Sequence, residues 1–194
     1  TQLQGQVQQL STQQDQLQNQ VQQLQSQPVA EPGAEPAVPP APPPSPPPAA
    51  PVRPAPPIQD ISQQLKHHPT KRFESRSLDQ IRQVIIHHTA IPPTIGAERI
   101  ANYGVDSKGW PGFRYHYFIT GDGQIQQTNA LTTLSTHAGP YSSTSIGVGF
   151  AGDFTDTIPT PAQIDAGAQL IAWLLRRFNL SVRAVMAYKE LINT

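Results

Sequence analysis

Apolar residues recur along this chain in three successive rhythms. In the first, Leu3, Val7, Leu10, Gln14, Leu17, Val21 and Leu24 follow alternating steps of four and three, the repeat of a coiled coil. Valine at a with leucine at d predicts a parallel homodimer through residues 3–24, with Gln14 as a buried amide that fixes register. The e and g positions are Gln and Ser, so no interhelical ion pairs support it. Residues 1–27 also read as a Gln-rich low-complexity tail. The second rhythm, over residues 28–60, has no apolar period. Runs such as Pro42-Pro43-Pro44 and Pro46-Pro47-Pro48 lock φ and lack amide donors, which excludes helix and sheet. Polyproline II at ~3.1 Å per residue gives about 90 Å of semi-rigid reach. This linker reads as a stalk, with a ligand for SH3-type domains as the alternative.

The third rhythm begins near Thr70 and is that of a globule over residues 70–194. Gln83 to Thr89 is a short β-branched run that predicts a buried strand, and Gly96 to Lys108 predicts a helix with Ile100 and Tyr103 inward. Arg114 to Thr120 alternates as a strand, Gly121-Asp122-Gly123 signals a hairpin, and Gln124 to Thr128 returns. Ser145 to Ala151 is an apolar strand broken by glycines. Thr160-Pro161-Ala162-Gln163 is a capping box with Pro at N1. The helix it opens runs to about Phe178, with Ile164, Ile171, Leu174, Leu175 and Phe178 on one stripe, and Val182 to Met186 is a last strand. Strands alternating with helices predict an α/β domain with a mixed central β-sheet flanked by helices.

Composition narrows the chemistry. Formal net charge is zero, which gives no electrostatic case for nucleic acid. There is no cysteine, so disulfide and thiol chemistry are excluded within this sequence. No apolar run approaches the ~20 residues that span a bilayer. The chain starts at Thr1 and stops at Thr194 in mid-pattern, so a longer protein is expected, with room for a signal peptide or anchor upstream. The residues that stand out chemically are His87 and His88, which end the run Val84-Ile85-Ile86. A buried strand that stops on imidazoles delivers them to its open end, where a metal or a reacting group is held. The period of two sends His88 to the opposite face from His87, as a core-facing or hydrogen-bonded ring. Asp153 reads as a turn organiser through Asx bonding.

Five segments in order then carry a resemblance: IIHHTA (85–90), GWPGFRYHYFITGDG (109–123), THAG (136–139), SIGVGFAGD (145–153) and PTPAQ (159–163). Together they resemble the zinc-dependent N-acetylmuramoyl-L-alanine amidases (type 2) and the peptidoglycan recognition proteins. The resemblance covers about Arg82 to Thr194 and none of the coil or stalk. It implies the amidase fold and hydrolysis of the amide between the lactyl group of N-acetylmuramic acid and L-alanine. It also implies a zinc ion held by two His and a Cys or Asp, with one position open for water. By the same resemblance His87 is the first zinc ligand, Tyr115 lies beside the metal, and Thr194 contacts the reacting oxyanion. His137 lines the substrate groove, and Trp110, Arg114 and Tyr141 are expected to wall it for a sugar or stem peptide.

The sequence departs from the family at Ala187-Tyr188-Lys189-Glu190, where relatives carry Gly-His-Arg/Lys-Asp/Glu. Tyr188 stands in place of the second zinc histidine, Glu190 is a substitute ligand only with a rebuilt loop, and the third ligand falls two residues beyond Thr194. The residues therefore favour a peptidoglycan-binding domain with a degenerate zinc site, extracytoplasmic or associated with the cell envelope, whose partner is peptidoglycan or muropeptide. An active zinc amidase with an altered ligand set is the second reading. A coiled-coil surface scaffold whose globular end docks a protein is the third.

Overall fold

The computed structural model describes residues 54–192. The coiled coil expected at residues 3–24, most of the Pro-rich linker, and Thr194 lie outside the described residues. In chain order the elements are strands β1 (Ile58–Asp60), β2 (Glu74–Ser75) and β3 (Gln83–His88), helix α1 (Ala97–Lys108), strands β4 (Tyr117–Ile119), β5 (Ile125–Gln127), β6 (Thr133–Leu134) and β7 (Ser145–Phe150), helix α2 (Pro161–Arg177), strand β8 (Val185–Ala187) and helix α3 (Tyr188–Ile192). No helix among the described residues is long and apolar enough to cross a membrane.

Six strands form one sheet in the order β1-β5-β4-β7-β3-β8, and β2 pairs with β6 in a separate ribbon. β7 is parallel to both β3 and β4, β3 is parallel to β8, and β4 is antiparallel to β5. The sheet is therefore mixed, as its βαβ crossovers and the Gly121–Gly123 hairpin require. β7 lies centrally and all six of its residues are buried. One face of the sheet (Val84, Tyr117, Ile119, Ile146, Val148, Phe150) packs on Ala166, Leu170 and Leu174 of α2. The other face carries Phe118, which packs with Phe113 and with Ala97 and Ala101 of α1. α2 begins as its sequence demands: Thr160 accepts from the Gln163 amide, and the Gln163 side chain accepts from Thr160. Gln163 is fully buried because its Nε2 also donates to the Ala151 carbonyl at 2.8 Å.

Several elements differ from the pattern-based expectation, each for a physical reason. Residues 58–60 are not linker: β1 pairs in parallel with β5, and Ile61 and Leu65 just after it are buried beneath α1. Proline at 57 is tolerated there because it precedes an edge strand. The inner face of α1 is Ala97, Ala101, Gly104 and Val105, whereas Tyr103 is 53% exposed. Small residues let the helix approach closely, and a Cβ at Gly104 would sit 2.6 Å from the Trp110 ring. The strand expected from Arg114 is regular only over Tyr117–Ile119, because the His116 carbonyl accepts from both Thr128 and Asn129 and breaks the ladder. On α2 the buried stripe is Gln163, Ala166, Gly167, Leu170, Leu174 and Leu175, leaving Ile164 exposed. Val182–Ala184 is a 3-10 turn, and the last strand starts only at Val185.

A candidate degenerate zinc site beside an arginine-walled cleft

β3 and β7 run parallel and end together, which opens a crevice at their carboxyl ends, the usual ligand position in such sheets. His87, only 7% exposed, stands opposite Gly149 in the register, and Ile85 stands opposite Gly147. The two glycines have no Cβ, so aromatic rings lie directly on the strand. A Cβ at Gly147 would meet His137 Cγ at 2.6 Å, and one at Gly149 would meet Tyr115 Cε2 at 2.6 Å. β8 pairs with β3 so that Ala187 is level with Ile86, which delivers Tyr188 to His87. His87 is thus enclosed by three rings, with centroids at 5.0 Å (Tyr115), 5.1 Å (His137, edge-on) and 4.7 Å (Tyr188).

Donor accounting fixes the protons in this cluster. Ser145 Oγ lies 2.6 Å from the Tyr141 carbonyl, which can only accept, so the hydroxyl donates there. Its 3.2 Å contact with His137 Nε2 must then be a donation from the ring. Burial holds the His137 pKa down to about 4, so this imidazole is neutral and its Nδ1 is an acceptor. His87 Nε2, 2.9 Å from that Nδ1, therefore carries a proton and donates it. Burial, and then the neighbouring His137, push His87 down to about 3. The result is a one-way relay from His87 through His137 and Ser145 to the Tyr141 carbonyl.

A second buried imidazole supports the first. His116 is fully buried; its Nδ1 accepts from the Gly147 amide at 3.0 Å, and its Nε2 lies 2.9 Å from Arg76 Nη2 and 3.0 Å from the Thr133 carbonyl. Burial and the adjacent Arg76 keep its pKa well below the ordinary range. Arg76 is 6% exposed and has no ion pair with a carboxylate among the described residues. Its guanidinium instead donates to the carbonyls of Leu131, Ser142 and Ser145, clamping the loop that carries His137. Burial lowers the Arg76 pKa to about 10.

The remaining expected residues are distributed unevenly. Trp110, Arg114, Tyr115 and His137 line a cleft of about 630 Å³ together with Ile91, Ile95 and Arg99. Arg114 lies over the Trp110 ring at 4.7 Å and donates to the Thr136 carbonyl. Tyr115 reaches the His88 carbonyl at 3.4 Å, and burial raises its pKa. Tyr141 is not among the cleft-lining residues; it contributes its backbone carbonyl to the relay. His88 points away and accepts from the Phe154 amide at 3.0 Å, on an exposed edge rather than in the core. Asp153 forms the expected Asx turn with Thr155. Glu190 accepts from the Ala187 amide at 2.8 Å and caps α3, so its carboxylate is engaged away from a metal-binding role. Sequence reasoning passed over Arg76, Ser145 and Arg99. Only Ser145 had a visible signal, as the first residue of the glycine-broken strand.

These donors do not fit a zinc ion. His87 Nε2 is protonated and committed to His137, and a phenol fills the second ligand position.

A sequence model of the family described as N-acetylmuramoyl-L-alanine amidase matches residues 77–189. The chain belongs to this family. Peptidoglycan-recognition protein 1 of Holotrichia diomphalia is 32% identical over 98 residues, which are 47% of this chain and 50% of that protein. The chain thus spans about half the length of the relatives it matches. The endolysin of Thermus scotoductus bacteriophage Ph2119 superposes with a TM-score of 0.62 at 22% identity, over 71% of this chain and 88% of its own. Peptidoglycan recognition protein LE, whose structure is a complex with tracheal cytotoxin, a monomeric diaminopimelic acid-type peptidoglycan, superposes at 0.59 and 22% identity, over 69% and 81%. Both superpositions are likenesses of fold. This amidase-family domain therefore shares a scaffold with recognition proteins and with endolysins, and its own side chains must separate the two.

Proposed function

We propose that this domain binds peptidoglycan fragments in the cleft beside His137 and does not cut them. The observation that carries the reading is the His87–His137 hydrogen bond, with Tyr188 packed on the same imidazole. An amidase needs that imidazole as a metal donor and a second histidine beside it; here one is protonated and the other is a tyrosine. The cleft supports binding of a muropeptide: Trp110 offers a ring face, Phe113 and Ile95 an apolar wall, and Arg114 a planar cation. Tyr115 closes one side and orients ligand rather than an attacking water. The same reading places the domain outside the cytoplasm, where peptidoglycan is.

The test is co-sedimentation of the purified chain with insoluble peptidoglycan, followed by analysis of the supernatant with and without added Zn²⁺. Retention of the protein on the pellet without release of free stem peptide is expected. Zinc-dependent release of stem peptide would restore the amidase reading, and absence of retention would remove the binding one.

A further inference from the structure

The apolar surface of α2 is wider than the core consumes. Ala166, Leu170 and Leu174 pack on the sheet, while Ile164, Ala168 and Ile171 form a second row at the i, i+4, i+7 spacing. Ile164 in that row is 48% exposed. The row walls a furrow of about 570 Å³, the size of a small-molecule site, between α2 and the carboxyl ends of β3, β7 and β8. Its shape has a sequence origin. Gly167 lets α2 sit directly on the Phe150 ring, which a Cβ there would meet at 2.5 Å, and the short side chain of Ala168 leaves the space above it unfilled. Phe154 and Pro159 continue the apolar lining. The furrow shares no lining residue with the cleft beside His137.

Two features narrow the occupant. No Asp or Glu lines the furrow; Lys189 is its one lysine or arginine, is exposed, and makes no ion pair among the described residues. An extended peptide finds little to pair with on the edge strand β8 alongside. The Val185 amide there already donates to the Val182 carbonyl, and the Ala187 amide to the Glu190 carboxylate. An apolar trough with one unpaired cation at its rim matches an alkyl chain that ends in one anion. We propose that the furrow binds a fatty carboxylate. The chain lies along Ile164, Ala168 and Ile171 and takes them out of water, and the carboxylate pairs with the Lys189 ammonium. A neutral head forfeits that pairing, and a cationic head meets like charge. This site is independent of the muropeptide reading.

Calorimetry of the full chain with laurate, dodecanol and dodecylamine, each below its aggregation threshold at pH 8, tests this. Laurate is expected to bind about fivefold more tightly than dodecanol at low salt, the advantage shrinking as ionic strength rises. Lys189→Glu is expected to reverse the order in favour of the amine. Ala168→Trp, at an exposed helix position, fills the furrow and is expected to abolish binding of all three with the melting temperature and retention on peptidoglycan unchanged. Ile164→Glu reaches the same loss of laurate by a second route. Failure of the parent to bind laurate, equal binding of laurate and dodecanol, or laurate binding that survives in both furrow variants overturns the proposal and leaves the muropeptide reading standing.

Discussion

Acidifying the domain from pH 7 to pH 5 is expected to cost it about 4 kcal/mol of folding stability, from His87 and His137 at about 2 kcal/mol each, with His116 adding to the loss in the same direction. His87 and His137 have pKa values lowered to about 3 and about 4, and His116 lies well below its ordinary value. In the unfolded chain each titrates near 6.5. Above that value both states are neutral and the contribution to stability is complete. As pH falls below it the unfolded state takes up protons that the folded state refuses, so stability declines until the folded pKa is reached. No carboxylate relieves this: the charged groups acting on the three rings are Arg76, Arg114 and the other histidines, all of which disfavour protonation. A domain of this size has roughly 5–15 kcal/mol in total, so a large part of its stability is lost by pH 5. Urea titrations at pH 7, 6 and 5 read this directly. A midpoint that does not move would show that the cluster is not buried and neutral.

Gly149→Ala is expected to disable the site and destabilise the fold by about 1–3 kcal/mol, the range for overpacking a tight interior. The added methyl would overlap the Tyr115 ring, and β7 cannot retreat because β3 and β4 are bonded on either side. The strain falls on Tyr115, whose displacement opens the wall around His87 and the cleft together. Combining the change with Tyr115→Ala removes the partner of the clash. The double variant should therefore lose at least about 1 kcal/mol less than the two single losses added. Additive losses in thermal or chemical denaturation would place the strain elsewhere. Muropeptide binding should be lost in the single glycine variant and stay lost in the double.

What the sequence disclosed and what it concealed divide along the reach of local pattern. Val84-Ile85-Ile86 followed by two histidines announced the strand and the delivery of His87 to its end, because β-branched runs and period two are local signals. The capping box at Thr160 was equally legible, since its hydrogen bonds close within four residues. Tyr188 in place of a histidine was readable by position, and the structure adds that its ring packs on His87. The relay was not legible. It joins residues 87, 137 and 145, which only the parallel pairing of β3 with β7 brings together. Arg76 was invisible for the same reason: a cation satisfied by carbonyls 55 to 69 residues away has no mark in its own neighbourhood. β1 was concealed differently, because proline-rich composition masked three residues that gain their partner only when β5 is formed.

The proton on His87 Nε2 is the most direct test of the account. Long-range proton–nitrogen NMR of ¹⁵N-histidine-labelled protein at pH 7, recorded with and without one equivalent of Zn²⁺, distinguishes a protonated ring nitrogen from a bare or metal-bound one. A protonated Nε2 paired with a bare Nδ1 on His87, unchanged by zinc, is predicted. Loss of that proton with a zinc-shifted Nε2 resonance would contradict it and return this site to the metal.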